Sequence, residues 1–131
     1  MLRLVTLVAG VLVGAAALAG DSHRWIEISG GAWDPHALPF VDIENSLRPL
    51  VVVATRDRGG MPEWGTYKFQ YQGRRNPLGR KYVYINAFCD APAHHPVTEW
   101  VQVKDGGACF FNAKYDPQSQ QVYDVVVNGI A

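Results

Sequence analysis

Few side chains in this 131-residue chain could do chemistry, and their spacing narrows them further. The most suggestive pair is His94-His95, which follows Asp90 and precedes Pro96. Imidazole nitrogens bind zinc or copper, and exported proteins often meet both. Adjacent residues of an extended chain point opposite ways, so the two rings rarely reach one ion. His23 and His36 join them only if the N-terminal arm folds over this loop. The serines, at 22, 29, 46 and 119, lie in no G-x-S-x-G elbow, so nothing marks a hydrolase nucleophile. Asn86 and Asn112 stand among apolar residues in strand-like segments, where they either line a pocket or bond a neighbouring loop.

The compartment decides what the two cysteines do. Arg3 is followed by an apolar run from Leu4 to Leu18, and Ala17-Leu18-Ala19 stands just before Gly20-Asp21. This is the pattern of a secretory signal peptide over residues 1–19, cleaved after Ala19. The run falls short of the roughly 20 residues that cross a bilayer, and no basic stop-transfer cluster follows it. The expected location is periplasmic or extracellular, with no membrane association after cleavage. In that setting Cys89 and Cys109 are expected to form a disulfide. Closing a loop of about 20 residues stabilises a fold by roughly 3 kcal/mol. Their spacing is not the C-x-x-C of redox enzymes, and two thiols alone make a poor metal site.

Composition excludes other classes. Apolar residues make up 48% of the chain, too many for disorder, and the net charge of zero argues against nucleic acid. Basic residues concentrate between Arg56 and Lys81, a stretch of net charge +5 whose flanks, 20–55 and 82–131, each carry −3. Such a stretch could attract an acidic partner or an anionic surface, or it is simply a solvated turn with its adjoining strand faces.

The elements that must hold these residues follow from periodicity. Residues 20–41 read as an arm, with a short strand at Trp25–Ile28 before Gly30-Gly31, Pro35 and Pro39. A single domain then spans 42–131. Ile43, Leu47, Leu50, Val51 and Ala54 form one helical stripe with Asp42 as a candidate N-cap, although Val51-Val52-Val53 favours strand. Pro49 argues for a start near Ser46, and Gly59-Gly60 for a stop. Strands are expected at 67–72, 81–88, 98–104, 108–115 and 122–127, with Asp105-Gly106-Gly107 as a hairpin turn. Short connections imply antiparallel neighbours. The fold class is therefore α+β, one helix on an antiparallel meander of four or five strands, with an extra strand at the N-terminus as an option. A disulfide conflicts with this order. If strand 98–104 separates its neighbours, the cysteines lie about 10 Å apart, beyond the roughly 7 Å a disulfide spans.

The order strand, helix, meander looks like the cystatin roll, a likeness of architecture alone. Gln102-Val103-Lys104-Asp105-Gly106 departs from the Q-x-V-x-G wedge of cystatins, with Val one position early. A second resemblance lies in the C-terminal half. Phe69-Gln70-Tyr71-Gln72-Gly73, Ile85–Cys89, Asp105-Gly106-Gly107-Ala108-Cys109-Phe110-Phe111, Tyr115-Asp116 and Asn128-Gly129-Ile130-Ala131 resemble small secreted proteobacterial proteins of uncharacterised function, over roughly 64–131. That resemblance implies export and paired cysteines, and no activity.

A one-helix sheet should leave one face wet, yet several strands carry apolar residues on both faces. Tyr82 and Tyr84 oppose Val83 and Ile85, Phe110 opposes Phe111, and Tyr123 opposes Val122. Something should cover the second face: the arm with Trp25 and Trp33, a second copy, or another protein. The sequence thus points to an exported binding or inhibitor-type module, without catalysis or cofactor, that acts by protein contact. Tyr82, Tyr84, Phe110 and Tyr123 are its interface candidates. The alternative is a periplasmic metal- or small-ligand-binding protein using His94 and His95, and an enzyme with a site between helix and sheet is a third class.

Overall fold

The computed structural model describes residues 23–130, so the expected leader at 1–19 lies outside the described residues. Within them the chain is α+β, one helix on a five-stranded mixed sheet. The strands are β1 (Trp25–Glu27), β2 (Lys68–Arg75), β3 (Lys81–Phe88), β4 (Phe110–Asp116) and β5 (Gln121–Val127), in that spatial order. β2 to β5 form the expected antiparallel meander, and β1 joins its edge parallel to β2, with Trp25 opposite Phe69. Parallel neighbours need a long crossover, and α1 (Phe40–Ala54) lies within it.

The helix differs from the expectation at its start. It begins at Phe40 rather than near Ser46, its N-cap is Pro39 rather than Asp42, and Pro49 lies inside it. An internal proline costs about 3 kcal/mol. Against this, Ile43, Leu47 and Val51 are fully buried on one stripe, and each such side chain contributes roughly 1.5–3 kcal/mol. The stripe wins. Pro49 itself sits on the exposed side, where water can reach the carbonyl it leaves unbonded. Beyond Ala54 the Thr55 hydroxyl donates to the Val51 carbonyl at 2.7 Å, and a 3-10 turn runs to Gly59, a left-handed residue at φ 84°.

Alternation sorts the sheet into two faces. Phe69 and Tyr71 of β2, Val83, Ile85 and Ala87 of β3, and Phe111, Ala113 and Tyr115 of β4 meet the helix stripe in one core. The expected arm belongs to that core. Trp25 stacks on Phe69 at 4.4 Å and on Phe40 at 5.0 Å between ring centroids. Below them lies a buried carboxylate. Glu44 of α1 accepts hydrogen bonds from Arg24 Nη1 at 2.7 Å, Trp64 Nε1 at 2.9 Å and Trp25 Nε1 at 3.1 Å. Arg24 also donates to the Tyr67 and Trp64 carbonyls, so the arm, the helix and the segment before β2 are tied at one point. At the other end of the arm Trp33 bridges Gly73 of β2. A Cβ at Gly73 would stand 2.2 Å from the Trp33 carbonyl oxygen, so this approach requires glycine.

The segment 98–104 is not a strand, and Asp105-Gly106-Gly107 is not a hairpin. β3 pairs with β4 directly, Phe88 opposite Phe110. This removes the conflict over the disulfide. Cys89 and Cys109 flank neighbouring strands with their Cα atoms 4.9 Å apart, and the disulfide is formed. Gly106, at φ 92°, turns the chain into a short 3-10 turn that feeds β4.

Candidate functional site

The second face of the sheet carries the candidate site, and its cover is neither the arm nor an empty surface. Trp25 lies on the helix side, and Trp33 sits at the β2 edge, where its indole donates to the Arg74 and Tyr82 carbonyls. What crosses the second face is the disulfide-closed segment, over residues 97–105. Side-chain amides of the sheet hold it like a strap. Gln70, fully buried, donates to the Val97 and Glu99 carbonyls and accepts from the Val101 amide. Asn86 donates to Gln70 Oε1 and to the Val101 carbonyl. Asn128 donates to the Val103 and Asp105 carbonyls. The strap therefore uses its own carbonyls on side chains, which explains why 98–104 does not pair as a strand.

Registers place the remaining residues. One row across the face is Gln70, Asn86, Asn112 and Val126, and the next is Gln72, Tyr84, Lys114 and Tyr123. The strap covers Gln70 and Asn86 of the first row and meets Tyr84 of the second through Trp100, and it leaves Val126 and Tyr123 exposed. Between strap and sheet runs a cleft of about 450 Å³, lined by Tyr84, Asn86, Phe110, Asn112, Asn128 and the strap residues 101–104. Every buried side-chain polar atom among the described residues has a partner, and the Asn112 amide has none, so it is open to the cleft. Asn86 and Asn112 thus do both things open to them: Asn86 bonds the loop, and Asn112 lines the pocket.

Beside the cleft lies a platform of rings and cations. The Arg74 guanidinium stands 4.0 Å from the Tyr84 ring centroid and 5.2 Å from that of Trp100. Tyr84 and Trp100 meet edge to face at 5.4 Å. Lys114 reaches the Tyr82 ring at 5.5 Å and the Asp124 carboxylate at 3.2 Å. Burial pushes the Tyr123 phenol up from its ordinary pKa; Lys114 opposes that, and Tyr82 adds to it. The interface candidates Tyr82, Tyr84 and Tyr123 therefore share this face, Tyr123 exposed and Tyr82 and Tyr84 half-buried. Phe110 belongs to its strapped end, under Gly106, where a Cβ would strike its ring at 2.5 Å.

The histidine loop is placed elsewhere. His94 is exposed, with φ 66°, and a ring nitrogen of His95 lies 3.0 Å from the Trp100 carbonyl. Among the described residues no three His, Cys, Asp or Glu side chains come together as a metal set. His95 thus helps set the strap that presents Trp100. Gln70, Arg74 and Trp100 were not singled out from the sequence. A signal for two of them was present: Gln70, Asn86 and Asn112 fall on one face once the strands are paired, and Arg74 continues the alternation of β2. Trp100 carried no signal, because its segment read as a strand. Among the described residues no helix is long and apolar enough to cross a membrane. Compared with known protein families, with curated proteins and with solved structures, the chain finds no match.

Proposed function

We propose that this protein is an exported binding module that holds a partner protein on the strapped face of its sheet. One observation carries the reading: the strap is fixed by buried amides and a disulfide, yet it leaves Lys114 and Tyr123 accessible beside a cleft that Tyr84 lines. Rigid aromatic side chains, with few rotamers to lose, are the usual anchors of protein interfaces. Export is supported by the signal-like residues 1–19 and by a disulfide suited to an oxidising compartment.

The test places a photoreactive residue at position 82 and, as control, at Val52 on the exposed side of α1, in cells of the native organism. A single crosslinked product at 82, absent at 52 and lost with Tyr84→Ser in a folded protein, supports the proposal. No product at 82, or equal products at both positions, refutes it. A crosslink between two copies, with a doubled mass by native mass spectrometry, identifies the partner as a second copy.

A further inference from the structure

The open platform contains one cation that the protein leaves without an acid. Lys114 is paired with Asp124 at 3.2 Å and Arg80 with Asp116 at 3.1 Å, whereas no carboxylate lies within ion-pair distance of Arg74 among the described residues. Arg74 is nonetheless the most firmly held of the three. Its Nε donates to Gln72 Oε1 at 3.0 Å, and Gln72 is itself fixed by donating to the Ser29 carbonyl at 2.8 Å. Its backbone carbonyl accepts from the Trp33 indole at 2.8 Å. Tyr84 and Trp100 hold the guanidinium plane. The two Nη groups make no hydrogen bond to any described residue, and no buried polar atom lacks a partner, so their N–H groups face solvent.

A guanidinium set against two rings that meet edge to face, and bonded through Nε, keeps its outer edge as a pre-aligned donor pair, the geometry that binds both oxygens of a planar acid. We propose that Arg74 is a receptor for a carboxylate, presented by an acidic peptide segment of the partner whose neighbouring side chains occupy the cleft between Tyr84 and Asn112. This rests on the strapped face being the binding surface. A carboxylate matches this donor pair by shape, since its two oxygens lie in the plane of the fork. Lys114 and Arg80 are already neutralised, and Lys104, which lines the cleft without an ion-pair partner among the described residues, is the cation through which phosphate would compete. The cation–ring contacts fit the same role, since they shield the guanidinium from water on the ring side and leave its edge to discriminate.

The experiment is an NMR titration of the full chain at fixed ionic strength, reading the Arg74 Nε–H and Trp100 indole signals. The probes are the peptide (Glu-Ser)3, its neutral counterpart (Gln-Ser)3, and inorganic phosphate. The expected result is a saturable shift of both signals with (Glu-Ser)3 and none with (Gln-Ser)3. Arg74→Gln should weaken binding about ten- to hundredfold, the range of one charge-assisted bidentate pair. Arg74→Lys keeps the charge but not the fork, and should recover only part of that loss. Equal shifts with the neutral peptide, or unchanged affinity in a folded Arg74→Gln variant, overturn the proposal. Tighter binding of phosphate than of (Glu-Ser)3 overturns the carboxylate assignment. If Arg74→Gln leaves the position-82 crosslink intact and unweakened, the carboxylate reading fails while the binding module stands.

Discussion

Replacing Glu44 by alanine takes away the common acceptor of three donors contributed by different parts of the chain. Arg24 keeps its bonds to the Tyr67 and Trp64 carbonyls, so its charge is not stranded. The indoles of Trp25 and Trp64 lose the only hydrogen-bond partner they have among the described side chains. Breaking a buried ion pair costs about 3–5 kcal/mol, and a buried donor left unbonded about 1–3 kcal/mol. Because Arg24 retains partners and is one-fifth exposed, the lower part of that range applies, about 3 kcal/mol. In a domain of this size that lowers Tm by roughly 12–20 °C. Glu44→Gln is milder, at about 1–2 kcal/mol. Its oxygen can keep Arg24 and Trp64, but its amide must then face the Trp25 N–H, donor against donor. The assay is equilibrium urea unfolding with the disulfide intact, followed by tryptophan fluorescence and by circular dichroism. Both probes should move together with an unchanged m-value. A loss below about 1 kcal/mol for Glu44→Ala would refute the view that this carboxylate ties arm, helix and sheet together.

Three further perturbations test other parts of the structure. Gln70→Leu preserves bulk but removes three bonds to the strap and one to Asn86; the sheet should persist while the Trp100 environment changes, and fully retained near-ultraviolet dichroism of Trp100 would contradict the strap assignment. Gly73→Ala should cost about 1–3 kcal/mol, because the new Cβ meets the Trp33 carbonyl, and a neutral effect in thermal unfolding would show that the arm moves aside. The Tyr67 phenol, buried and donating to the Ala108 carbonyl, is pushed up to about 12 by desolvation. A raised folded pKa gives stability that is present below pH 10 and lost as pH rises toward 12, so alkaline unfolding should be less steep over that window in Tyr67→Phe, with an unaltered profile as the contrary result.

What could be read in the sequence was whatever depended on local alternation. β3 lies at 81–88 as its pattern indicates, and Tyr82 and Tyr84 share one face as period two requires; in β5 a bulge at Asp124 breaks that period, so that Tyr123 and Val126 share the second face while Val122, Val125 and Val127 pack on the core. The helix was legible through Ile43, Leu47 and Val51, but its start was not, since the burial that overrides Pro49 is tertiary. The segment 98–104 was misread for a related reason. Val101 and Val103 alternate with polar residues as a strand would, yet Val101 is the buried residue of a strap whose carbonyls bond Gln70 and Asn86. Nothing local announces a bond between residues 31 positions apart. Arg74 was visible only as one charge in a basic stretch; its role depends on Trp100, brought back over Tyr84 by the loop.

The disulfide fixes the ends of residues 90–108 at a constant gap on a sheet that is already closed by its own pairing. Those residues are in effect a macrocycle mounted on a rigid base. Residues can be exchanged or inserted at 91–94, ahead of the anchored part that begins at His95, without sliding β3 against β4. The entropic toll is small, since doubling a loop's length adds only about 0.6 kcal/mol. The chain is thus a natural display scaffold, in which one framework can present differently shaped rings. Reduction would remove the covalent tie at the base of the ring and leave the strap held by its amide bonds to Gln70, Asn86 and Asn128 alone.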